Sequence, residues 1–283
     1  MELDVGHPVL LPPGGGEIIG DSPARRVEIL SDHETLNATW SRFGPGREGA
    51  DLHVHRQHTD FFYVLEGELT VRLGVEDETV AVQSGTLVRV PPLVVHGFRN
   101  ASDGELRYLN FHAPGQRFAD YLRSIRDRGS FSYDQFDPPA DGVRPSSEAA
   151  IGEELFVADR PGLSVTLLTD IEAVGIAVAT SEPGSPPPPP HFHPSHVESF
   201  YLLEGEMTFT AAGRELRAET GSWVQIPPGV AHTFAFTGDE PATFLNLHSP
   251  SCGFGDFVRG LHEAKTADDL VAVRAAFDME PAA

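Results

Sequence analysis

Cysteine, tryptophan and basic residues are scarce in this chain of 283 residues. It has one cysteine, Cys252, two tryptophans, and 20 lysines and arginines against 42 acidic residues. A single cysteine excludes a disulfide within the chain and suits a reducing compartment, so we expect a cytoplasmic protein. The formal net charge of −22 argues against nucleic acid and anionic membrane surfaces as partners, because phosphate binding requires a basic face.

Long apolar runs are also missing. No segment approaches the 18 or so uninterrupted apolar residues that a membrane-spanning helix needs. The first residues, MELDVGHPVLLPPGGG, lack the basic start and the long apolar stretch of a signal peptide, so we expect no such signal. Glycine and proline are plentiful, at 28 and 24, and with 40% hydrophobic residues they predict a globular, β-rich fold with many turns.

The sequence repeats itself at an offset of 138 residues. GGGEIIGDSPARRVEILSD, from residue 14, aligns with GEELFVADRPGLSVTLLTD, from residue 152. After a hairpin that is two residues longer in the first copy, VRVPPLVVHGF aligns with VQIPPGVAHTF. A duplication of this kind predicts two similar domains related by a pseudo-twofold, which we place at residues 1–140 and 141–283.

Each copy has the pattern of an all-β domain. Short β-branched and aromatic runs such as FFYVLEGELTVRL and TLVRVPP are cut by turn residues at spacings of roughly 8 to 12 residues, which predicts a sandwich or small barrel. Short amphipathic helices are predicted at the end of each copy, in RFADYLRSIRDRG, FGDFVRGLHEA and TADDLVAVRAAFDM. Thr266 is the candidate N-cap of the last one.

Histidines and acids recur at matched spacings in the two copies. Two histidines stand two residues apart, an acid follows five residues later, and a further histidine follows a Pro-Pro turn. Alternate residues of a strand face the same side, so these groups are expected to converge. The predicted ligands are His191, His193, Glu198 and His232 in the second copy, and His53, His55, Asp60 and His96 in the first.

A single buried histidine is more often a core residue than a ligand. Four ligand types at matched spacing in both copies are harder to explain by packing, because burying them without a cation costs several kcal/mol. Three imidazoles and one carboxylate suit a borderline divalent ion, so we expect one Fe, Mn, Ni, Cu, Co or Zn ion per barrel, with the second copy the stronger candidate.

These segments resemble the two motifs of the cupin superfamily, G(x)nHxH(x)4E(x)6G and G(x)5PxG(x)2H. The second copy matches them with Gly184, Gly205, Gly221, Pro227 and Gly229 around its ligands. In the first copy Asp60 replaces the glutamate and Leu93 replaces the turn glycine, so we expect a shorter reach to the metal and a different turn conformation. The resemblance covers nearly all of both halves and implies a bicupin, two tandem jelly-roll β-barrels with short flanking helices.

The residues around the ligands carry further predictions. Phenylalanines that share strand parity with the ligands are expected to line an apolar substrate pocket, although part of this set is expected in the core: Phe62, Phe98, Phe200, Phe234 and Phe236. His58 and His196 are expected at a solvent-facing rim of the site. His112 and His248 are interpreted as structural residues on a later strand.

Among bicupins, HTDFFYVLEGELTV and HVESFYLLEGEMTF most resemble quercetin 2,3-dioxygenase-like proteins. That resemblance implies a metal-dependent oxidoreductase that opens a flavonol ring with O2 and releases carbon monoxide. Glu198, and Asp60 in the first copy, would then act as catalytic base, and burial is expected to raise the pKa of such a carboxylate.

Two alternatives stay open. One is another cupin enzyme, such as a decarboxylase, an isomerase or a different ring-cleaving dioxygenase. The other is a non-catalytic, metal-stabilised module that binds a small molecule. The chain is expected either to form a homodimer or to imitate one with its own two barrels.

Overall fold

The computed structural model describes residues 6–139 and 141–282 and is built mainly of antiparallel strands. The chain divides into two compact units. The N-terminal unit contains residues 16–153, and the C-terminal unit contains residues 154–283 together with residues 1–15. The first strand, β1 (Val9–Leu11), therefore belongs to the C-terminal unit.

The N-terminal unit has two antiparallel sheets and one helix among its described residues. The strands are β2 (Glu17–Ser22), β3 (Arg25–His33), β4 (Leu36–Phe43), β5 (Thr59–Glu66), β6 (Glu68–Leu73), β7 (Glu78–Gln83), β8 (Leu87–Val90), β9 (His96–Arg99), β10 (Leu106–Ala113) and β11 (Ala150–Ile151). The helix is α1 (Phe118–Arg126), and a 3₁₀ turn spans Ser146–Glu148. The larger sheet has the order β11-β8-β5-β10-β4-β3-β2 and the smaller one β7-β6-β9.

The C-terminal unit repeats this plan. Its strands after β1 are β12 (Phe156–Arg160), β13 (Leu163–Ile171), β14 (Val174–Ser181), β15 (His191–Phe192), β16 (Val197–Glu204), β17 (Glu206–Ala211), β18 (Arg214–Glu219), β19 (Trp223–Ile226), β20 (His232–Phe236), β21 (Ala242–Ser249) and β22 (Glu280–Pro281). The helices are α2 (Phe254–Glu263) and α3 (Ala267–Ala276). The sheets have the orders β1-β19-β16-β21-β14-β13-β12 and β18-β17-β20-β15-β22.

The core of each unit lies between its two sheets. In the N-terminal unit Phe62 and Val88 of the larger sheet pack with Leu69 and Val71 of the smaller one. Apolar and polar residues alternate along β6, as the period-2 pattern predicts, whereas the apolar run of β5, Phe61–Val64, is buried on both faces. The prediction of two tandem jelly rolls is confirmed, although strand pairing within the described residues does not close either pair of sheets into a barrel.

The helices form where the sequence predicts them. The Thr266 side chain accepts a hydrogen bond from the backbone N–H of Asp269 (3.1 Å), and the Asp269 carboxylate accepts from the N–H of Thr266 (2.8 Å). This capping box satisfies backbone donors that the first turn of a helix cannot bond itself. No described helix has the length and apolar character needed to span a membrane.

Two short strands set the limits of the units. β1 adds to the edge of the C-terminal sheet, with Leu10 opposite Val224 on β19. β11 adds to the N-terminal sheet, with Ala150 opposite Arg89 on β8. The compact units therefore differ in their limits from the sequence repeat, which was placed at residues 1–140 and 141–283, because backbone pairing assigns each strand to the sheet edge that it completes.

Candidate metal centres

Three strands bring together the four predicted ligands of the C-terminal unit. His191 on β15 pairs with His232 on β20, and their ring centroids lie 4.3 Å apart. From β16, Glu198 places Oε2 3.1 Å from Nε2 of His193 and 2.8 Å from Nε2 of His232. All four side chains are buried, so the cluster lies inside the jelly roll.

Each imidazole in this cluster is oriented through its outer nitrogen. The Nδ1–H groups of His191 and His232 donate to the carbonyls of Pro189 (2.8 Å) and Val230 (2.9 Å). His193 donates its Nδ1–H to the carbonyl of Asp278 (2.6 Å). Because a neutral imidazole carries one proton, these bonds leave the lone pairs on Nε2, and the Nε2 atoms converge.

The N-terminal unit contains the same arrangement. The Nδ1–H groups of His53, His55 and His96 donate to the carbonyls of Asp51 (2.7 Å), Asp134 (2.5 Å) and Val94 (2.9 Å). Nε2 of His53 and Nε2 of His55 lie 3.2 Å apart. Two nitrogen lone pairs at this distance repel each other unless a cation or a shared proton lies between them, which is an arrangement suited to a metal ion.

Asp60 stands farther from its histidines than Glu198 does. Its Oδ2 lies 3.3 Å from Nε2 of His96 and 3.7 Å from Nε2 of His55. This is in keeping with a side chain that is one methylene shorter. In both clusters the four ligand atoms still lie within 4.8 Å of one another, so both can hold a metal ion.

The protonation states of the two acids and of two histidines fit metal binding. At His232 burial lowers the pKa, but the Glu198 carboxylate raises it and the rise prevails. Burial lowers the pKa of His53 to about 3 and that of His191 to about 4, so both rings are neutral at pH 7. Burial raises the pKa of Glu198, but the neighbouring His248 and the close Nε2 atoms of His193 and His232 outweigh burial and hold it well below its usual value. The pKa of Asp60 is lowered in the same way by His112, His55 and His96.

These shifts correct one prediction from the sequence. Burial alone was expected to raise the carboxylate pKa, yet the surrounding imidazoles keep both acids ionised. Neutral imidazoles and ionised carboxylates are the forms that bind metal. The donor set, three nitrogens and one oxygen in each cluster, therefore fits a borderline divalent ion.

The turn before the last histidine contradicts another prediction. Leu93 was expected to change the turn conformation, but its φ of 67° is close to the φ of 75° at Gly229. The N–H of Leu93 donates to the carbonyl of His55 (2.7 Å), and the N–H of Gly229 donates to that of His193 (2.8 Å). The two turns are the same, and the first copy holds a leucine in the left-handed region.

His58 and His196 do not lie at a solvent-facing rim, as was predicted. Each is 1% exposed and sits behind the ligands. Nδ1 of His196 is 2.8 Å from the Asp278 carboxylate, and its Nε2 is 2.7 Å from Nδ1 of His248. The aspartate and the later histidine draw the ring inward, because together they offer partners to both of its nitrogens.

The N-terminal unit has the same series of contacts between an aspartate and two histidines. It includes Tyr133 and Asp134, which were not predicted from the sequence. His58 contacts the Asp134 carboxylate (2.9 Å), His112 (2.9 Å) and the Tyr133 hydroxyl (2.9 Å). Tyr133–Asp134 and Phe277–Asp278 are 144 residues apart and occupy equivalent places in the two units. The repeated pair of an aromatic residue and an aspartate could have revealed these residues in the sequence. It lies beyond the aligned segments, and a match of two residues is too short to support a prediction.

Two asparagines donate hydrogen bonds to the acids of the two clusters. Asn246 on β21 donates to Oε1 of Glu198 (3.0 Å), and Asn110 on β10 donates to Oδ1 of Asp60. The opposite face of each amide contacts a histidine: Oδ1 of Asn246 accepts from His248 (2.9 Å) and Oδ1 of Asn110 from His112 (3.0 Å). His112 and His248 therefore orient the amides that fix the candidate acids.

Comparison with known proteins identifies the family. Residues 39–112 and 177–248, more than half of the chain, match the family model of the cupin domain, once in each unit. The chain belongs to the cupin family. It is a bicupin, and the matched segments contain both clusters.

One curated relative and two solved structures describe its neighbours. The bicupin is 24% identical over 219 residues to quercetin 2,3-dioxygenase of Bacillus subtilis, over 65% of this chain and 64% of that protein. It thus spans less than two thirds of that relative. Protein Ylba of E. coli has a TM-score of 0.62 at 14% identity, covering 87% of this chain and 92% of that one. A variant of B. subtilis oxalate decarboxylase has a TM-score of 0.60 at 15% identity, covering 96% and 87%. These two likenesses show the fold.

Each centre of the bicupin opens into a cavity, and the two cavities differ. The C-terminal one, of about 470 Å³, reaches His191 and Glu198 and has a mostly apolar lining that includes Phe234 and Phe236. The N-terminal one, of about 440 Å³, reaches His53 and Asp60 and is more polar.

The phenylalanines that were predicted to line a pocket therefore fall into two groups, one that lines the cavities and one that lies in the core. Phe98 lines the N-terminal cavity, and Phe234 and Phe236 line the C-terminal one. Phe62 and Phe200 are fully buried and are not among the lining residues. They pack beneath Phe98 and Phe234, at centroid distances of 4.9 and 5.2 Å, and belong to the core.

Proposed function

We propose that this bicupin is a metal-dependent dioxygenase that cleaves a flavonol or a similar aromatic substrate with O2, and that the C-terminal centre carries the reaction. The observation that supports it most is the apolar, phenylalanine-lined cavity that opens onto His191 and Glu198. The sequence similarity to quercetin 2,3-dioxygenase supports the same substrate class.

The ligands of the ion would be His191, His193, Glu198 and His232. A bound divalent ion would supply Lewis acidity toward substrate oxygen atoms and positions that exchange water for other ligands. Neutral imidazoles bound through Nε2 leave the carboxylate as the only anionic ligand of the set.

Glu198 is the candidate base. Its ionised carboxylate can take the proton of a substrate hydroxyl, while Asn246 holds Oε1 and so fixes the direction of approach. Phe234 and Phe236 pack against the flat substrate, and their apolar surface excludes water from the reacting end.

The test is oxygen uptake by metal-loaded protein with quercetin, measured together with loss of the flavonol absorbance and release of carbon monoxide. E198Q should lower the rate by about a hundredfold or more, in the range for loss of a general base. D60N, the matched change in the N-terminal centre, should leave the rate nearly unchanged. Metal-loaded wild type that consumes neither flavonol nor O2 would remove the proposal.

The N-terminal cavity favours a second function for that centre. Its lining includes Arg25, Asp51, Gln135 and Asp137, so a small polar substrate fits it better than a flavonol does. A decarboxylase or an isomerase would use Asp60 in the role assigned to Glu198. Loss of turnover in D60N, with E198Q active on the same substrate, would support this reading.

A further inference from the structure

Two arginines lie in the otherwise apolar wall of the C-terminal cavity. Arg160 is the last residue of β12, and Arg274 lies in the last turn of α3. The Arg160 guanidinium donates to the carbonyls of Leu261 and Ala264 at the end of α2, so part of its capacity is already used. Arg274 forms no ion pair with an acidic side chain within residues 6–139 and 141–282.

The surroundings of Arg274 are unfavourable for a cation. Its side chain is half-buried, and the positive charge of Arg160 acts on it. Burial lowers the pKa of Arg274, and the Arg160 charge lowers it further. A partly desolvated cation beside a like charge is costly, and a bound anion would offset that cost.

The order of strands places Arg160, whose charge acts on Arg274, far from the metal ligands. The sheet has the strand order β16-β21-β14-β13-β12. Across these strands the residues that line the cavity are, in turn, Glu198, Phe244, Ala177, Val165 and Arg160. Four strand spacings separate β16 from β12, about 19 Å measured along the sheet. Curvature and the reach of the arginine side chains shorten this span, which then suits a flat ligand of at least two rings.

We propose that the C-terminal cavity binds a two-ended aromatic substrate. One end presents a hydroxyl oxygen to the metal centre, and the opposite end carries a carboxylate that Arg274 recognises. The inference rests on the proposed function for the location of the reacting end, and it names the substrate class and a specificity-determining residue. A carboxylate at Arg274 receives charge-assisted hydrogen bonds from a planar donor suited to it.

The test compares two probes of equal shape, 6-hydroxy-2-naphthoate and 6-hydroxy-2-naphthamide. Their Kd values are measured by calorimetry on the metal-loaded protein under argon, so that no turnover is needed. Wild type should bind the carboxylate roughly tenfold more tightly than the amide, as expected for a hydrogen bond to a charged group. R274Q should abolish this preference, and R274K should keep part of it because the charge remains.

R217Q is the matched control, since the Arg217 side chain is 84% exposed and lies outside the cavity. It removes the same charge and should keep the tenfold preference. Melting curves confirm that each variant is folded. A wild type that binds both probes equally or binds neither, or an R274Q protein that keeps the preference, would overturn the inference.

Failure of the inference is distinguishable from failure of the proposed function. Quercetin turnover without any preference for the carboxylate would contradict only the role of Arg274. A preference that depends on Arg274, in a protein that takes up no O2 with any aromatic substrate, would contradict only the dioxygenase.

Discussion

At the scale of single residues, four of the six ligand imidazoles are oriented by a backbone carbonyl of their own local segment. His53, His96, His191 and His232 each donate Nδ1–H to the carbonyl two residues earlier. The second histidine of each HxH pair instead depends on a distant aspartate carbonyl. The spacing of the histidines predicted which residues converge. It did not predict what orients His55 and His193, because their acceptors lie more than 75 residues away.

The turn at Leu93 and Gly229 gives a prediction about stability. An added Cβ at Gly229 meets no atom within 4 Å, so G229A introduces only the cost of a left-handed backbone. We expect G229A to lower the free energy of unfolding by about 1 kcal/mol, measured by chemical denaturation. The reciprocal change L93G should relieve the same backbone cost, offset by the loss of leucine contacts.

Metal-free protein is suitable for this comparison, because the metal adds a second contribution to stability. Equal stability of G229A and wild type would show that the turn bears no conformational cost, contrary to this interpretation of the φ values.

At the scale of elements, each HxH segment is covered by a segment that follows the helix or helices of its own unit. β22 pairs with β15, with Glu280 opposite Phe192, and in the N-terminal unit Val54 forms a bridge with Phe136. Strands and helices were predictable from their periods of two and 3.6 residues. The segments that return to the HxH residues, one around Phe136 and one that contains Asp278 and β22, were not predictable. Each of these returning segments is too short to show a period and acts through backbone carbonyls.

Removal of the returning segment should disable one centre. A chain that ends at Ala276 lacks the Asp278 carbonyl that fixes His193 and the strand that pairs with β15. We expect the C-terminal centre to lose its metal while the N-terminal centre keeps its ion, as measured by metal content per chain after dialysis.

D278N is the milder counterpart, because it keeps the backbone carbonyl and alters only the side-chain contacts with His196 and with the backbone N–H of Ser195. Its metal affinity should fall by roughly tenfold, the lower end of the range for partners of metal-bound histidines. A shortened chain that retains two ions of undiminished affinity would show that the returning segment does not support the centre.

At the scale of the whole molecule, duplication has kept the ligand geometry and changed the cavities. Both units hold three histidines and an acid, yet one cavity is apolar with arginines in its wall, and the other is more polar and mixes charged and amide groups with aromatic rings. The family and the ligand sets could be predicted because fixed spacings carry them. The cavity linings come from side chains of many separate strands and helices, so strand parity identified only part of them.

The addition of β1 to the C-terminal sheet shows the same limit. Its sequence, VLL, has no counterpart in the repeat that would indicate a partner strand. Only backbone pairing with β19 reveals where it belongs. Local pattern gave the type of most elements, whereas assignment to a unit depended on contacts between residues distant in sequence.

The central claim is that each unit binds a divalent ion through its own histidines and acid. The most direct test is elemental analysis of purified, metal-saturated and dialysed protein. We predict two ions per chain in wild type, one in H53A/H55A and one in H191A/H193A. Wild type without bound metal, or either double variant with the full wild-type content, would contradict the claim.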